Sequence, residues 1–489
     1  MADSLKILMV SPEVAPFART GGLADVTGAL PGALRAAGHE VRVILPRYAA
    51  VEDGGFGLTA LGEPFEVPIG GRPAPAALYA AGGPGAGTFL IGNDDLYGRE
   101  RLYGNAQGDY PDNDRRFIFL ARAALEACKR MDFRPDVIHA HDWQTGLIPV
   151  YLKTLYESDP FFRNTASVFT IHNIGYQGNF PHESLRAADL PYDRVFHING
   201  LEYYGGISFL KGGIVYADLV TTVSRRYAEE IQTAEYGFGM DGVLGARKDA
   251  LLGITNGVDY GTWDPATDPA LPARFSPEYL SGKAECKKAL LREFGLPAAY
   301  AERPLLGYVG RLVEQKGVGL LAEVLPRLAR KSLGLVLLGQ GEAAFEEQAR
   351  AMAARHGKTA AVRIGFNDPL AHRIIAACDF LLAPSRYEPC GLTQLYAMKY
   401  GTIPIVRATG GLDDTVEQWD AKAGTGTGFK FQEYSGDAFV AAIEAALKTC
   451  RSARQMAGLR RNGMAADFSW ARSATRYEEM YHTALFRMP

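Results

Sequence analysis

The sequence has few cysteines and no strong charge of either sign. Its 489 residues include five cysteines, an odd number, and no pair has the spacing of a CxxC motif. This argues against a disulfide framework and against a structural zinc site. Lysine and arginine total 52 and aspartate and glutamate total 55, which gives a formal net charge of −3. Because phosphate backbones attract concentrated cationic faces, this balance argues against nucleic acid as the main partner.

Long apolar runs are also missing. No segment reaches the roughly 18 consecutive apolar residues of a transmembrane helix, so we expect no membrane partner. Residues 1–9 lead into a strand-like segment without the apolar core and cleavage site of a signal peptide, and we expect the protein in the cytoplasm. Hydrophobic residues make up 47% of the chain and charged residues 22%, which is typical of globular proteins. The length predicts two large domains.

The apolar pattern predicts strands that alternate with helices in the first half of the chain. Strand Lys6–Val10, helix Leu23–Ala37 and strand Val41–Leu45 form a βαβ unit. Residues 51–92 are too loosely patterned to separate antiparallel hairpins from loop excursions. Further strands are predicted at 88–91, 136–140, 167–171, 219–223 and 251–255, and helices at 114–131 and 145–156.

The alternation restarts after a connector at residues 260–303, which is rich in proline, aspartate and alanine and contains one helix at 283–293. Predicted strands at 305–309, 335–338, 362–364, 380–383 and 403–406 alternate with helices at 318–331, 342–356, 370–377 and 392–400. Such alternation is typical of a parallel doubly wound sheet. The sequence therefore predicts an α/β protein with two Rossmann-like domains that face each other across a ligand-binding cleft.

Two glycine loops in the chain match each other. The segments 20–26 and 409–416 both begin with Thr-Gly-Gly-Leu, follow a predicted strand and open a helix. A Gly-Gly turn lets backbone N–H groups approach an anion, and Arg19 adds a full charge to the first loop. A tight turn without a ligand is the simpler interpretation of one such loop, but two matching loops favour anion binding. Neither loop has the P-loop or GxGxxG pattern.

Two cations follow the first strand of the second predicted domain. Arg311 and Lys316 lie on the loop between this strand and the next helix. They could converge on a diphosphate, with arginine as a bidentate fork and lysine as a point charge. Ordinary solvated surface charges are the alternative interpretation.

A single glutamate is held at another strand end of this domain. Pro389 and Gly391 force an irregular turn that places Glu388 toward the predicted cleft. The N–H groups of residues 391–393 open the following helix, where they could bind phosphate. Cys390 is predicted to be a free thiol near the site.

Histidines follow two strands of the first domain. His139, His141 and His172, with Asp142, could form a zinc site. They could instead recognise sugar hydroxyls, and a buried, hydrogen-bonded histidine is the simplest interpretation of His139. The segment 112–114, Asp-Asn-Asp, matches the DxD metal motif of some sugar transferases, but its position favours an N-cap of helix 114–131.

Nine motifs occur in order between residues 19 and 470: RTGGLADV, HAHDW, TIHNIGYQG, ISFLKGG, TNGVD, GRLVEQKG, SRYEPCGLTQLY, TGGLDDTV and DFSW. Together they resemble the ADP-glucose type of bacterial glycogen synthases, shared with plant starch synthases, over essentially the whole chain. The resemblance implies the GT-B architecture, with a first domain at 1–257, a second at 258–470 and a C-terminal helix at 471–489 that packs on the first. It also implies retaining transfer of glucose from ADP-glucose to the non-reducing 4-OH of an α-1,4-glucan such as glycogen, without a metal or other cofactor.

The resemblance also implies roles for individual residues. Arg311 and Lys316 would bind the diphosphate, Glu388 would contact the donor sugar, and His172 would face the transferring glucose. Phe366 would stack on adenine, and Tyr103 would line the donor pocket. The remaining predicted binding residues are Arg19, Gly21, Gly22, Asp25, Asp142, Asn173, Asn256, Cys390, Gly391, Leu392 and Thr393.

Two positions depart from related enzymes. The first loop of the family usually reads KTGGL, whereas this chain has Arg19. Many related GT-B enzymes carry a second glutamate eight residues after the first, where this chain has Tyr396. Because no second acid clearly pairs with Glu388, we favour a front-face transfer in which the leaving diphosphate deprotonates the acceptor hydroxyl.

Three other functions stay open on the sequence. A glucan phosphorylase shares the architecture but would need a pyridoxal phosphate lysine, for which Lys399 is the candidate. A zinc hydrolase built on the three histidines is the second alternative. A non-catalytic sugar-binding protein with two lobes is the third.

Overall fold

The computed structural model describes residues 4–83, 86–105 and 107–488, without the side chains of residues 52 and 53. Within these residues, no helix combines the length and the apolar character needed to cross a bilayer. The chain divides into two compact units. The first holds the residues up to Val223, Ala228–Gly257 and the residues from Trp470 onward, and the second holds Ser224–Tyr227 and Val258–Ser469. These boundaries differ from the predicted ones at Trp470 and at residues 224–227.

The first unit is built on a mixed sheet. Its strands, with three smaller pairings, are β1 (Lys6–Val10), β2 (Glu40–Pro46), β3 (Thr59–Ala60), β4 (Phe65–Ile69), β5 (Arg72–Ala80), β6 (Thr88–Gly92), β7 (Gly104–Asn105), β8 (Gly108–Asp109), β9 (Val137–His141), β10 (Ala166–Ile171), β11 (Asn179–Phe180), β12 (Glu202–Tyr203), β13 (Gly206–Ser208), β14 (Leu219–Thr222) and β15 (Leu251–Gly253). The main sheet has the order β15-β14-β10-β9-β1-β2-β6-β5-β3, with β4 paired to β5. Its strands are parallel from β15 to β6.

The loosely patterned segment of the sequence forms antiparallel strands, the first of the two alternatives. Strands β4 and β5 make a hairpin in which Ile69 pairs with Arg72. The two residues between them, Gly70 and Gly71, have φ values of 60° and 72°. Such a two-residue turn needs left-handed backbone at both positions, which glycine adopts at little cost.

Helices cover the main sheet of the first unit. They are α1 (Gly22–Ala36), α2 (Ala49–Asp53), α3 (Asp94–Tyr97), α4 (Asn113–Arg130), α5 (Leu147–Leu152), α6 (Ser184–Ala187), α7 (Tyr192–Val195), α8 (Phe209–Tyr216), α10 (Asp241–Ala246) and α19 (Trp470–Phe486), and α9 (Arg225–Glu230) follows β14. Strands β9 and β10 are buried along their whole length. Parallel strands buried on both faces read as continuous apolar runs, which is why the sequence predicted them well.

The Asp-Asn-Asp segment before α4 serves the structure of the first unit. Asp112 occupies the N-cap position but makes no capping hydrogen bond with its side chain. Its carboxylate instead accepts two hydrogen bonds from Arg99, at 2.7 and 2.6 Å. The Asn113 oxygen accepts a hydrogen bond from the fully buried Arg116 at 2.8 Å, and Asp114 accepts one from Ser184 at 2.6 Å. The expected capping bond is therefore replaced by an ion pair.

The C-terminal helix α19 packs within the first unit, as the resemblance predicted. It lies against α1, β9 and β10. The Tyr481 hydroxyl lies 2.9 Å from His139 Nδ1, and the Glu478 carboxylate lies 3.0 Å from His39 Nε2. The Ser473 hydroxyl donates to the Thr255 carbonyl at 2.9 Å.

The second unit holds a parallel sheet that is buried on both faces. Its strands are β16 (Leu305–Val309), β17 (Gly334–Gly339), β18 (Ala360–Ile364), β19 (Phe380–Ala383), β20 (Ile403–Arg407) and β21 (Phe429–Phe431), in the order β18-β17-β16-β19-β20-β21. Leu335 and Leu337 of β17 enter one apolar core, and Val336 and Leu338 enter the other. The structure adds β21 to the five predicted strands.

Helices flank this second sheet. They are α11 (Ser281–Phe294), α12 (Val318–Leu328), α13 (Ala343–His356), α14 (Asp368–Ala377), α15 (Thr393–Lys399), α16 (Gly410–Thr415), α17 (Gly436–Thr449) and α18 (Ala453–Ala465). The sequence pattern missed α18. The α/β class and the two doubly wound sheets are confirmed.

Candidate active site

In the first unit, three predicted site residues and one that was not predicted, Glu13, follow neighbouring strands of the sheet. Strands β1, β9 and β10 are neighbours and run parallel. Glu13 follows β1, Asp142 follows β9, and His172 and Asn173 follow β10. Because parallel strands end at the same edge, these polar side chains gather there.

Asp142 combines backbone strain with a perturbed acidity. Its φ and ψ are 57° and 178°, a region that is rare for residues other than glycine. Its carboxylate accepts a hydrogen bond from the His172 amide at 2.7 Å. Burial of this carboxyl raises its pKa to about 7. The hydrogen bonds that it accepts from backbone amides oppose this shift. Strain and a shifted pKa together are typical of a functional position.

The three histidines are buried side by side, with ring centroids 4.0 Å apart for His139 and His141 and 5.3 Å apart for His141 and His172. His139 Nδ1 lies 2.9 Å from the Tyr481 hydroxyl and its Nε2 lies 2.6 Å from the Thr170 hydroxyl. His141 Nδ1 lies 3.0 Å from His172 Nε2. Burial lowers the pKa of both His139 and His172 to about 3. His139 is therefore a buried and satisfied histidine, the simplest of the interpretations.

The zinc interpretation finds no support in this geometry. Both ring nitrogens of His139 are already engaged by hydroxyl groups. In the described part of the chain, no group of three or more His, Cys, Asp or Glu side chains is arranged to hold a metal ion. The histidines are placed instead as hydrogen-bonding groups.

Glu13 is a buried carboxylate that the sequence analysis missed. It accepts hydrogen bonds from the Thr20 amide and hydroxyl, each at 2.6 Å, and from the Tyr103 hydroxyl at 2.7 Å. It thus joins the glycine loop to the segment that carries Tyr103. The available signal was that Glu13 is the only charged residue between positions 7 and 18.

The first glycine loop is closed by an ion pair. Arg19 Nε lies 3.0 Å from the Asp25 carboxylate in the first turn of α1. Gly21 is the N-cap residue, with an extended backbone at φ −164°. A Cβ atom at Gly21 would meet no protein atom within 4 Å, so neither packing nor dihedral strain requires glycine there. Gly22 begins the helix.

Asn256 carries an unsatisfied polar atom. The residue is 5% exposed, and its side-chain oxygen accepts no hydrogen bond from the described residues. Asn173, in contrast, accepts a hydrogen bond from the Gly175 amide at 3.0 Å. Buried polar atoms are nearly always paired in native proteins, so Asn256 is a candidate for a ligand contact.

In the second unit, a lysine and a glutamate from separate loops form an ion pair. Lys316 Nζ lies 2.6 Å from the Glu388 carboxylate, which is 8% exposed, and Ser385 donates to the same oxygen at 3.0 Å. The two loops follow the adjacent strands β16 and β19. The structure therefore brings together two of the four predicted catalytic residues.

Glycines allow these loops to approach each other closely. Gly317 has φ 72°, and a Cβ there would overlap the Pro384 carbonyl oxygen. Gly410 and Gly411 of the second Thr-Gly-Gly-Leu loop lie against the backbone of residues 388–390. The Gly411 amide donates to the Glu388 carbonyl at 3.1 Å. This second loop thus supports the Glu388 turn, and its two glycines have a packing role that Gly21 lacks.

Other predicted residues surround this pair. Arg311 donates to the Gln315 side chain at 3.2 Å. Gly391 has φ 74°, and its carbonyl accepts a hydrogen bond from the Gln394 side chain at 3.0 Å. The buried Cys390 precedes it, Leu392 is the N-cap residue of α15, and Thr393 is the first residue of that helix. Phe366 follows β18 and is 72% exposed.

Comparison with known proteins decides the family. A model described as the starch synthase catalytic domain matches residues 6–246, and one described as glycosyl transferases group 1 matches residues 294–460. The protein named glycogen synthase 2 from Geobacter sulfurreducens is 48% identical over 480 residues, which covers 98% of this chain and 99% of that relative. The chain belongs to the glycogen and starch synthase family. The resemblance of the nine sequence motifs is thereby confirmed.

Solved structures agree with this family assignment. The catalytic domain of starch synthase IV from Arabidopsis thaliana, in a structure described as bound to ADP and acarbose, matches with a TM-score of 0.92 and 33% identity. The match covers 99% of this chain and 100% of that one. Sucrose-phosphate synthase from Thermosynechococcus elongatus has a TM-score of 0.59 at 18% identity, covers 97% and 98% of the two chains, and shares the fold alone. The GT-B fold is confirmed.

The phosphorylase interpretation is not favoured. The full-length relatives are named as glycogen synthases. The candidate Lys399 lies 3.7 Å from the Asp264 carboxylate and 4.6 Å from the centroid of the Tyr260 ring. In this chain, Lys399 therefore forms a local ion pair with Asp264.

Substitution Glu13→Gln should destabilise the first glycine loop. The carboxylate faces three hydrogen-bond donors, and a carboxamide would turn an N–H group toward one of them. We expect the free energy of unfolding to fall by about 1–3 kcal/mol, measured by urea denaturation. Substitution Glu66→Gln, at an exposed position of β4, is the matched control and should change stability little. Equal effects of the two substitutions would contradict the role assigned to Glu13.

Substitution Asp142→Asn should change the pH dependence of stability. Because the pKa of Asp142 is about 7 instead of its ordinary 3.8, the folded chain holds this proton more tightly than the unfolded chain. As pH rises from about 4 to about 7, this group therefore costs up to about 1.4 kcal/mol per pH unit. The variant lacks that cost, so its stability relative to the wild type should rise over this interval in urea denaturation. The histidines are the same in both proteins, so their contribution cancels in the comparison. A stability difference between the two proteins that does not change with pH would refute the raised pKa of Asp142.

Proposed function

We propose that this protein is a retaining glucosyltransferase that moves glucose from ADP-glucose to the non-reducing 4-OH of an α-1,4-glucan, glycogen. The observation that carries the proposal is the ion pair between the half-buried Lys316 and the buried Glu388, placed at the strand ends of the second unit in a chain of the glycogen synthase family. The starch synthase structure described as bound to ADP supports an adenine nucleotide as the leaving group. The location in the cytoplasm stays a prediction.

The second unit would hold the nucleotide sugar. Arg311 and Lys316 would bind the diphosphate, and Phe366, with its exposed ring, would stack on adenine. The amides of residues 391–393 open helix α15 and would contact the phosphate together with Cys390. Lys316 now pairs with Glu388, so donor binding would shift this lysine toward phosphate and leave the carboxylate for the sugar hydroxyls. This unit corresponds to the predicted second domain, 258–470.

The first unit would recognise sugar and phosphate oxygens. His172, whose pKa is lowered by burial, would hydrogen-bond sugar hydroxyl groups as a neutral ring. The carboxyl group of Asp142 and the side-chain amides of Asn173 and Asn256 would bind hydroxyl groups in the same way. Tyr103 would line the donor pocket from its position on Glu13. Arg19, Gly21, Gly22 and Asp25 form the loop assigned to the phosphate, and the open space beside Gly21 supports this assignment. This unit corresponds to the predicted domain 1–257 with helix 471–489.

The mechanism we propose is a front-face transfer. The Glu388 carboxylate pairs with a lysine and a serine hydroxyl instead of a second acid, so a double displacement lacks its usual pair of carboxylates in this unit. The leaving diphosphate would take the proton from the acceptor hydroxyl. Cations and amides aimed at that phosphate would stabilise its developing charge, and such electrostatic stabilisation costs little reorganisation when the groups are already in place.

Incubation with glycogen and a nucleotide sugar tests the function directly. We expect release of nucleoside diphosphate and incorporation of labelled glucose when ADP-glucose is supplied. UDP-glucose in a parallel reaction tests the donor, since the support for adenine comes from relatives of this chain. Equal rates with both donors would remove the assignment of ADP-glucose, and no transfer from either would remove the proposed function.

Substitution Lys316→Ala should slow transfer strongly. If this lysine stabilises the leaving phosphate, kcat should fall on the order of 10²–10³-fold, as for the loss of one oxyanion-hole donor. The substitution also leaves Glu388 without its cation, so thermal unfolding must show that the variant is folded. Substitution Lys331→Ala removes an exposed pair with Glu444 in the same unit and is the control. Unchanged turnover in the Lys316 variant would contradict the assignment.

A further inference from the structure

Three loops of the first unit expose a group of aromatic side chains. We call Tyr176, Tyr203, Tyr204 and Phe238 the aromatic surface. Tyr204 is 85% exposed, Tyr176 54% and Phe238 44%. The rings of Tyr203 and Tyr204 meet edge to face with centroids 4.7 Å apart. Large aromatic side chains rarely gather on a surface without a partner.

Hydrogen bonds join the three loops that carry these rings. The Tyr203 hydroxyl donates to the Phe238 carbonyl at 3.2 Å. The side chain of Gln177, next to Tyr176, donates to the same carbonyl at 2.9 Å. The aromatic surface is therefore one assembled feature, although its residues come from distant parts of the sequence.

Two of the aromatic residues have strained backbones. Tyr204 has φ 50° and Phe238 has φ 51°. Among the described residues, the other non-glycine residues with positive φ are aspartates, which tolerate this region better than bulky side chains do. Aromatic residues held in such a conformation are typical of a functional site and not of chance exposure.

A buried lysine fixes the turn that carries Tyr204. Lys211 Nζ donates to the carbonyls of Ile198 and Glu202, at 2.6 and 2.5 Å. The Gly205 amide donates to the Glu202 carboxylate at 2.9 Å. The ring of Tyr204 is thus presented on a rigid support, which lowers the entropy lost when a ligand binds.

The aromatic surface continues from the candidate active site. The Tyr176 amide donates to the Asn173 carbonyl at 3.2 Å, and the Gly175 amide donates to the Asn173 side chain at 3.0 Å. Tyr176 therefore lies on the same turn as His172 and Asn173. A ligand that leaves the hydroxyl-binding residues along this loop meets the aromatic rings next.

We propose that the aromatic surface binds the α-glucan chain of the acceptor, an inference that rests on the proposed function. Glucose rings present apolar C–H faces that pack on aromatic rings, and their hydroxyls can bond to tyrosine hydroxyls. The charged residues around Tyr203 are the acidic Glu202 and Asp241 and the buried Lys211, which together have a formal charge of −1. This charge disfavours a polyanion and suits a neutral polymer.

Substitution Tyr204→Ala tests the proposal in the full-length chain. The dissociation constant for glycogen, measured without nucleotide sugar by affinity electrophoresis, should rise about 2- to 10-fold, the range for one lost aromatic contact. Tyr204→Phe should restore most of the affinity because it keeps the ring. Tyr279→Ala removes a tyrosine that is 76% exposed in the second unit and should leave affinity unchanged. In transfer assays, KM should rise more for glycogen than for maltotriose.

The remaining outcomes overturn the proposal. They are an unchanged glycogen affinity in the Tyr204→Ala variant, an equal loss in the Tyr279→Ala control, or absence of glycogen binding by the wild type. A change in molar mass by light scattering with glycogen affinity intact would identify a self-association face instead. Wild-type transfer together with unaltered glycogen binding by the variant would reject the surface and keep the proposed function. If the variant loses glycogen binding while the wild type transfers no glucose, the proposed function is rejected and the aromatic surface is kept as a glycogen-binding site.

Discussion

The structure depends on one constraint, which is that a polar side chain inside a strand buried on both faces must find its hydrogen-bond partner within the protein. Strands β9 and β17 are fully buried, and His139 of β9 is bonded to Thr170 of the neighbouring strand β10. Polar side chains that could contact a ligand are therefore expected where the strands end. This is why Glu13, Asp142, His172 and Glu388, which are far apart in sequence, all follow the last residue of a strand.

The strand ends of the two units carry different kinds of polar group. In the first unit, burial removes charge: the histidines are kept neutral, and Asp142 holds its proton up to about pH 7. Such groups suit hydroxyl recognition, which needs donors and acceptors instead of net charge. In the second unit, Lys316 and Glu388 form an ion pair at 2.6 Å, and in the proposed mechanism this lysine would exchange the carboxylate for a phosphate.

The sequence predicted the long apolar elements well because their buried residues form a pattern that can be recognised within a short stretch of sequence. It missed strand β21, which has only three residues, and it missed helix α18, although Met456, Leu459 and Gly463 of α18 are buried at helical spacing. It placed Lys316 and Glu388 each at a strand end, but their contact depends on the adjacency of β16 and β19, which no local pattern encodes. The two glycine loops share the same four residues, yet Gly410 and Gly411 pack against residues 388–390, whereas Gly21 has no such contact. Glu13 was missed because one buried carboxylate has no motif of its own, and the role of each site residue stays a prediction.

The position of helix α19 has a consequence for how this polypeptide matures. Its Tyr481 and Glu478 contact His139 and His39, so the first unit is complete only after a segment that follows the second unit along the chain has been synthesised. The amino-terminal part of the first unit therefore lacks these contacts while residues 258–469 are translated. A stop codon at residue 470 would remove contacts from the first unit, although the altered position lies after the second unit.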